Sequence, residues 1–355
     1  MADAEFYDYE LPRELIAQQP LAERAAARLL VVRRDDGSLT HRHVGDLPDL
    51  LAPGDLVVVN DTRVVPARLV GRRAATGGKW EGLFLQVERD GERAGCWRLL
   101  AQTRGRPAVG ERIVLHDRAG REAAAIRLLG RTAGGGWLAE PEGGEAAETV
   151  LARVGRVPLP GYIRGGEAEG ADVERYQTVF ARVSGSAAAP TAGLHFTDAL
   201  LDSLARRGVG RASVTLHVGL DTFRPISTER VEDHPMHSEW CDCPAETAAA
   251  IRETRGRGGR VVAIGTTAVR TLETAGRAGA IEAARGWSGS TDLFIRPGHA
   301  FRAVDAILTN FHMPRTTLMV LVSSFAGRDL IARAYAEAIR ERYRFLSYGD
   351  AMLIL

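Results

Sequence analysis

Apolar residues recur along this chain in two rhythms. Runs rich in Leu, Val, Ile and Ala at 29–32, 56–60, 212–216, 261–264, 306–309 and 351–355 are bounded by charges or turn residues. Their length predicts strands buried on both faces, and 293–295 reads as one more. Between the runs the spacing turns helical. Val44, Leu47, Leu50 and Leu51 share a face ahead of the Pro53-Gly54-Asp55 turn, as do Leu200, Leu201 and Leu204. Further helices are expected at 245–255, 268–275, 316–325 and 329–342. Thr197 stands where it would cap the helix that Gly208 ends. Alternating strands and helices predict an α/β main domain with a largely parallel sheet covered on both faces.

From 67 to 150 the rhythm changes to short strand-like pieces, at 67–71, 82–87, 97–100, 112–115, 122–129 and 137–140, separated by Gly, Asp and Arg. Closely spaced short strands with turn signals predict a small antiparallel β-barrel or sandwich. The expected organisation is therefore a discontinuous α/β domain, 1–66 and 151–355, with an inserted β-barrel domain at 67–150. The prolines of Val157-Pro158-Leu159-Pro160 form a stiff extended return to the main domain.

Charge adds one feature. The chain as a whole carries +1, but residues 63–131 hold 15 Lys+Arg against 7 Asp+Glu, so this segment is +8 and the rest −7. A basic segment on a neutral protein suggests a local site for phosphates. The acidic start of the chain lacks a signal-peptide pattern, and no apolar run approaches a membrane span, which predicts a cytoplasmic protein without membrane contact. Three cysteines make no disulfide framework.

Polar and small residues gather just after the expected strands, at the sheet edge where open α/β domains place ligands. Asn60, Asp61 and Arg63 follow one strand, His217 another, Gly265-Thr266-Thr267 a third and His312 a fourth. Thr266 and Thr267, with Arg270 one turn in, offer a helix start to an anion, carboxylate or phosphate. The run 187–196, holding Thr191, Gly193 and His195, allows close backbone approach to a ligand or simply a tight corner. His234, His237, Cys241 and Cys243 could supply four zinc ligands, but Cys-x-Cys is tighter than the usual gap and no second pair follows, so no metal is expected. Walker A, Gly-x-Gly-x-x-Gly and Gly-x-Ser-x-Gly patterns are absent.

The stretches FYDYELPRELIAQQP at Phe6, VVNDTRVVPARL at Val58, VPLPGYI at Val157, RYQTVFA at Arg175, AAPTAGLHFT at Ala188, TLHVGLDTFRP at Thr215, EDHPMHSEW at Glu232, AIGTTAVRTLE at Ala263, LTNFHMPRTTLMVLVSSFAG at Leu308 and YRFLSYGDAM at Tyr343 together resemble the S-adenosylmethionine:tRNA ribosyltransferase-isomerases of queuosine biosynthesis. The resemblance spans the chain and is loose in the β domain and at 164–173. It implies S-adenosylmethionine as ribosyl donor and a 7-aminomethyl-7-deazaguanine at the tRNA wobble position as acceptor, with epoxyqueuosine, adenine and methionine as products. It also implies binding of the tRNA anticodon arm, and a fold compatible with a monomer.

A sulfonium acidifies the neighbouring ribose C5′, and loss of adenine needs a proton donor, so general acid–base groups are required. His195 and His217 are the first candidates, with Asp61 and Glu239 in competition. Thr266, Thr267 and Arg270, with Thr191 and Gly193, are expected to hold the cofactor. Asn60, Arg63 and His312 are expected to bind the base, with Tyr162 or Phe196 stacking on it. Two other classes stay open, a non-catalytic RNA-binding module and a metal-dependent hydrolase using His234, His237 and Cys241.

Overall fold

The computed structural model describes residues 3–88, 91–132, 135–219, 225–236 and 238–355. The chain divides into two units, one of Met1–Arg63, Pro160–Gly165 and Glu174–Leu355, the other of Val64–Leu159 and Gly166–Val173. Among the described residues no helix is long and apolar enough to cross a membrane.

The first unit is built on a nine-stranded sheet. From edge to edge its strands are Trp287–Thr291, Glu239–Cys243, Gly210–Leu216, Leu56–Asn60, Val261–Ile264, Ala306–Asn310, Ala351–Ile354, Arg28–Val32 and Leu39–His43. The four from Gly210–Leu216 to Ala306–Asn310 run parallel, as does the pair Ala351–Ile354 and Arg28–Val32, while the remaining pairings are antiparallel. The sheet is thus mixed, with the expected parallel order concentrated at its centre.

Strand alternation feeds two cores. Leu30, Val32, Val58, Ala263 and Ile307 pack with Ile251, Leu272, Val320 and Tyr335 of the helices Ala245–Gly256, Thr266–Arg277, Thr317–Ala326 and Arg328–Arg340. Leu29, Val31, Val59, Ile264 and Leu308 face the other way, onto Leu47, Leu51, Leu200 and Leu204. Central strands with apolar residues on both faces need cover on both, which the helices provide. Thr197 does cap the helix Asp198–Arg206, its hydroxyl accepting from the Leu200 N–H at 3.1 Å.

Three local expectations change. The segment after Val44 is a 3-10 turn and a single α-turn, Leu47–Leu50, rather than a full helix, and the strand Leu39–His43 precedes it. That strand lies largely exposed at the sheet edge, so it carries no apolar run to reveal it. Residues 293–295 are not a strand; the strand there is Trp287–Thr291. Leu293 and Ile295 are still buried, but the Leu293 carbonyl accepts from Arg270 Nε at 3.2 Å instead of joining a ladder.

The second unit is a closed antiparallel barrel, in the order Trp137–Pro141, Trp97–Thr103, Lys79–Val87, Arg68–Arg73, Arg112–His116 and Glu122–Arg131. Trp80, Leu69, Leu99, Ile113, Leu115, Ile126 and Leu128 are completely buried. Gly82 makes room for the Trp80 indole, since a Cβ there would come within 2.2 Å of it. The basic character seen along 63–131 is largely neutralised here. Acidic residues beyond that segment bring this unit to 16 Lys+Arg against 14 Asp+Glu, a net +2. Arg68 pairs with Glu81 and Glu167, Arg72 with Glu122, Arg73 with Glu111, and Arg112 and Arg127 with Glu142. Lys79, Arg104 and Arg106 stay exposed and outside any ion pair among the described residues, and they gather at one end of the barrel: Thr103 bonds the Lys79 carbonyl, and Arg73 bonds those of Arg104 and Arg106.

Candidate active site

Parallel strands leave the sheet in one direction, so the residues that follow them meet along one edge. A cavity of about 630 Å3 of empty space, open to solvent, lies there in the first unit. Its walls come from Thr191 and Ala192, from Val218, from Gly265-Thr266-Thr267, from Thr309, Asn310 and His312, from Thr316, and from Tyr162 and Ser347.

Two helices begin at this cavity. Thr266–Arg277 starts at Gly265, whose φ of +88° only glycine adopts without strain and which supplies no side-chain cap. Thr317–Ala326 starts at Thr316, whose hydroxyl caps the Met319 N–H at 3.3 Å. The first N–H groups of a helix lack intrahelical acceptors and carry partial positive charge, so two such ends facing one space favour an anion. The Thr267 hydroxyl, buried beside them, has no hydrogen-bond partner among the described residues.

Asn310 organises one wall. Its Oδ1 accepts from the Thr191 hydroxyl at 2.9 Å, and its Nδ2 reaches His195 Nε2 at 3.2 Å and the Leu346 carbonyl at 3.2 Å. An amide donor at Nε2 makes that nitrogen the acceptor and leaves the His195 proton on Nδ1. Burial, then the charges of Arg24 and Arg344, push the His195 pKa down to about 4. His312 is lowered to about 3 by burial, its Nε2 at 2.9 Å from the Thr309 hydroxyl. The His312 peptide is held from both sides, its N–H donating to the Tyr335 hydroxyl at 2.9 Å and its carbonyl accepting from Tyr9.

These two histidines give the fold an acid limb. Their pKa values lie below the unfolded value of 6.5, so as pH falls beneath 6.5 the unfolded chain takes up protons that the folded chain does not. Stability is fully present above pH 6.5 and is lost on the way down. Between pH 7 and 5 the loss is about 2 kcal/mol per histidine. Asp55 and Glu111, whose carboxyls are held low by Arg260 and Arg73, titrate in the unfolded chain only near 3.8 and 4.5, outside that window. Urea unfolding at the two pH values checks this: His195→Gln and His312→Gln should each flatten the dependence, and an unchanged dependence contradicts it.

Of the residues singled out from the sequence, Thr191, Thr266, Thr267, Tyr162 and His312 line the cavity. The others do not. Asn60 is spent on the Leu216 backbone and the Thr62 N–H. Asp61 accepts from the Thr215 hydroxyl at 2.7 Å and from Arg182 at 2.7 Å. Arg63 is exposed and bonds the Ala181 carbonyl. His217 bonds Thr62 Oγ1 through Nδ1 at 2.8 Å and stacks on Trp240; burial lowers its pKa against the opposing pull of Asp61. Gly193 packs against Thr178 and Phe180, and Phe196 is a core residue. Arg270, expected to meet a carboxylate, is paired with the buried Glu239, whose other oxygen accepts from the Gly219 N–H at 2.8 Å.

In the strand Glu239–Cys243, Cys241 and Cys243 point into the core, and burial raises their thiols to about 11 and about 12. His237, like residues 220–224 of the TLHVGLDTFRP stretch, lies outside the described residues. No group of three or more His, Cys, Asp or Glu suited to a metal occurs among the described residues. Asn310, Thr316 and Ser347 were missed as site residues. Asn310 and Thr316 stand beside a strand end and a helix start, while Ser347, within the YRFLSYGDAM stretch, is brought in from the far end of the chain.

Residues 4–354 match the family described as queuosine biosynthesis protein. An S-adenosylmethionine:tRNA ribosyltransferase-isomerase from Anaeromyxobacter sp. (strain Fw109-5) is 52% identical over 349 residues, 98% of this chain and 97% of that protein. One of the same name from Moorella thermoacetica is 51% identical over 353 residues, 99% of each. The crystal structure of an S-adenosylmethionine tRNA ribosyltransferase from Thermotoga maritima superposes with a TM-score of 0.56 at 36% identity, covering 99% of this chain and 100% of that one.

Proposed function

Since the chain belongs to the queuosine biosynthesis protein family, as a transferase-isomerase, we propose that it moves the ribosyl group of S-adenosylmethionine onto 7-aminomethyl-7-deazaguanine at the tRNA wobble position. Epoxyqueuosine in the tRNA, adenine and methionine are the products. The observation that carries this reading is the convergence of two helix N-termini and the unpartnered Thr267 hydroxyl on one cavity. That end suits the carboxylate of the methionine moiety. Thr266 and Thr267 hold it in place of Arg270, which is committed to Glu239.

Among the described residues His312 is the histidine lining the cavity, and proton transfer is assigned to it. Its low pKa keeps it in the acceptor form at neutral pH and makes the protonated form a strong acid toward departing adenine. With Nε2 engaged by the Thr309 hydroxyl, Nδ1 is the nitrogen assigned to exchange the proton. His195, Asp61, His217 and Glu239 act as positioning groups: His195 through Asn310, Asp61 and His217 on the neighbouring strand ends, and Glu239 through Arg270. Tyr162, its hydroxyl 2.7 Å from Ser347, offers a ring to the deazaguanine. The exposed Lys79, Arg104 and Arg106 supply phosphate contacts on the barrel, and tRNA binding weakens as salt rises.

The test is incubation with S-adenosylmethionine and tRNA carrying the aminomethyl-deazaguanine. Release of both adenine and methionine, with a nucleoside mass that gains the rearranged ribose, is the expected result. Binding of tRNA without either product would overturn the proposal in favour of an RNA-binding module.

A further inference from the structure

A second cavity, about 330 Å3 of empty space, lies in the same unit and shares Ser347 with the first. Arg24, Arg175, His195, Leu194 and Tyr348 line it. His195 belongs to the partition: its ring is bonded to Asn310, which faces the first cavity. The two spaces therefore sit back to back.

The charge around the second cavity is one-sided. Arg24 donates to the carbonyls of Gln177 at 2.8 Å, Leu194 at 3.3 Å and Glu174 at 3.1 Å. Arg175 donates to the carbonyls of Leu21 and Ala22. Arg344, close enough to His195 to depress its basicity, donates to the Gln19 carbonyl, and its Nη1 is buried with no partner. Among the described residues none of the three is in an ion pair, although nine other arginines of this unit are. The Asp350 carboxylate accepts from the backbone N–H groups of Arg28 and Arg344 and also lies within electrostatic reach of the Arg344 guanidinium. Burial and the proximity of Arg175 both disfavour the charge on Arg24. Carbonyls satisfy donors but cancel no charge, so among the described residues Arg24 and Arg175 have no carboxylate partner.

We propose that this second cavity is a phosphate subsite that receives one RNA phosphodiester next to the nucleotide reacting in the first. This rests on the function proposed above. Guanidinium groups are suited to phosphate oxygens by their planar donor pairs, and His195, neutral with its proton on Nδ1, adds a donor without a further charge. A contact of this kind fixes register rather than sequence, holding the substrate base at the cavity mouth. Free phosphate would satisfy the same groups, and the test separates the two sources.

The test uses the full-length protein and an anticodon stem-loop carrying the aminomethyl-deazaguanine. Each phosphate near that nucleotide is replaced in turn by a neutral methylphosphonate. One linkage should weaken binding to the wild-type protein about tenfold or more, and the same replacement should cost Arg175→Gln or Arg344→Gln little. Each variant should also lower the salt dependence of log affinity by about 0.7, with S-adenosylmethionine affinity and Tm near those of wild type. If a variant fails to fold, the linkage scan on wild type still decides, because a scan in which no linkage stands out overturns the proposal. Raised Tm in inorganic phosphate for wild type but not Arg175→Gln, with a flat linkage scan, would assign the pocket to a free anion and likewise overturn it. Adenine release is measured on the same samples. Its absence in wild type defeats the proposed function, whereas its presence with a flat scan defeats only the phosphate subsite.

Discussion

His312→Gln should lower kcat for adenine release by about two to four orders of magnitude, the range for removing a general acid–base group. Glutamine keeps a polar group toward the Thr309 hydroxyl and fills similar space, so the peptide held by Tyr9 and Tyr335 stays in place. Affinities for S-adenosylmethionine and tRNA should change by less than about tenfold, because the lost interaction belongs to the transition state. Single-turnover release of adenine, measured beside equilibrium binding, separates the two effects. A loss smaller than about tenfold would remove His312 from proton transfer. If His195→Gln or His217→Gln then caused the larger loss, the proton donor would have to come from a residue that lines no part of the main cavity, and the site would need to rearrange to bring it in.

Breaking the Arg270–Glu239 pair should be the most damaging change to the fold. Both side chains are almost fully buried, at 6% and 2% exposure, and each is the other's charge partner. Arg270→Met or Glu239→Leu leaves one charge stranded and should cost about 3–5 kcal/mol, whereas the double variant should recover most of that loss. Urea unfolding of the two single variants and the double variant forms the cycle. If the double variant is as unstable as the sum of the singles, the pair is not coupled as described. The pair has a functional consequence too. Arg270 lies one turn into the helix that opens at Thr266 and also ties down the carbonyls of Thr291 and Leu293, so it stiffens the helix start that faces the cavity. Glu239 meanwhile anchors Gly219, the residue after the cavity-lining Val218.

The elements were legible wherever a local pattern had a local cause. Val261–Ile264 and Ala306–Asn310 are apolar on both faces and read as buried strands; Thr197 announces its helix; six short runs announce the barrel. The edge strand Leu39–His43 is exposed and so resembles a loop, while Leu293 and Ile295 are buried without pairing and so resemble a strand. Burial and strand pairing are separate properties, and an apolar run reports only the first.

By itself the sequence determined the α/β class, the barrel and the family. Residue type also pointed to Thr191, Thr266, Thr267, Tyr162 and His312, which line the main cavity. Tertiary structure alone decided which polar residues are free to act. Arg270 and Glu239 neutralise each other across 31 positions, Asn310 takes His195 across 115, and Asp61 takes Arg182 across 121. The basic segment likewise loses most of its charge to acids elsewhere in its unit. The physical reason is the same in each case: a charge or donor is available to a ligand only if no closer partner satisfies it, and those partners are set by the fold rather than by sequence neighbours.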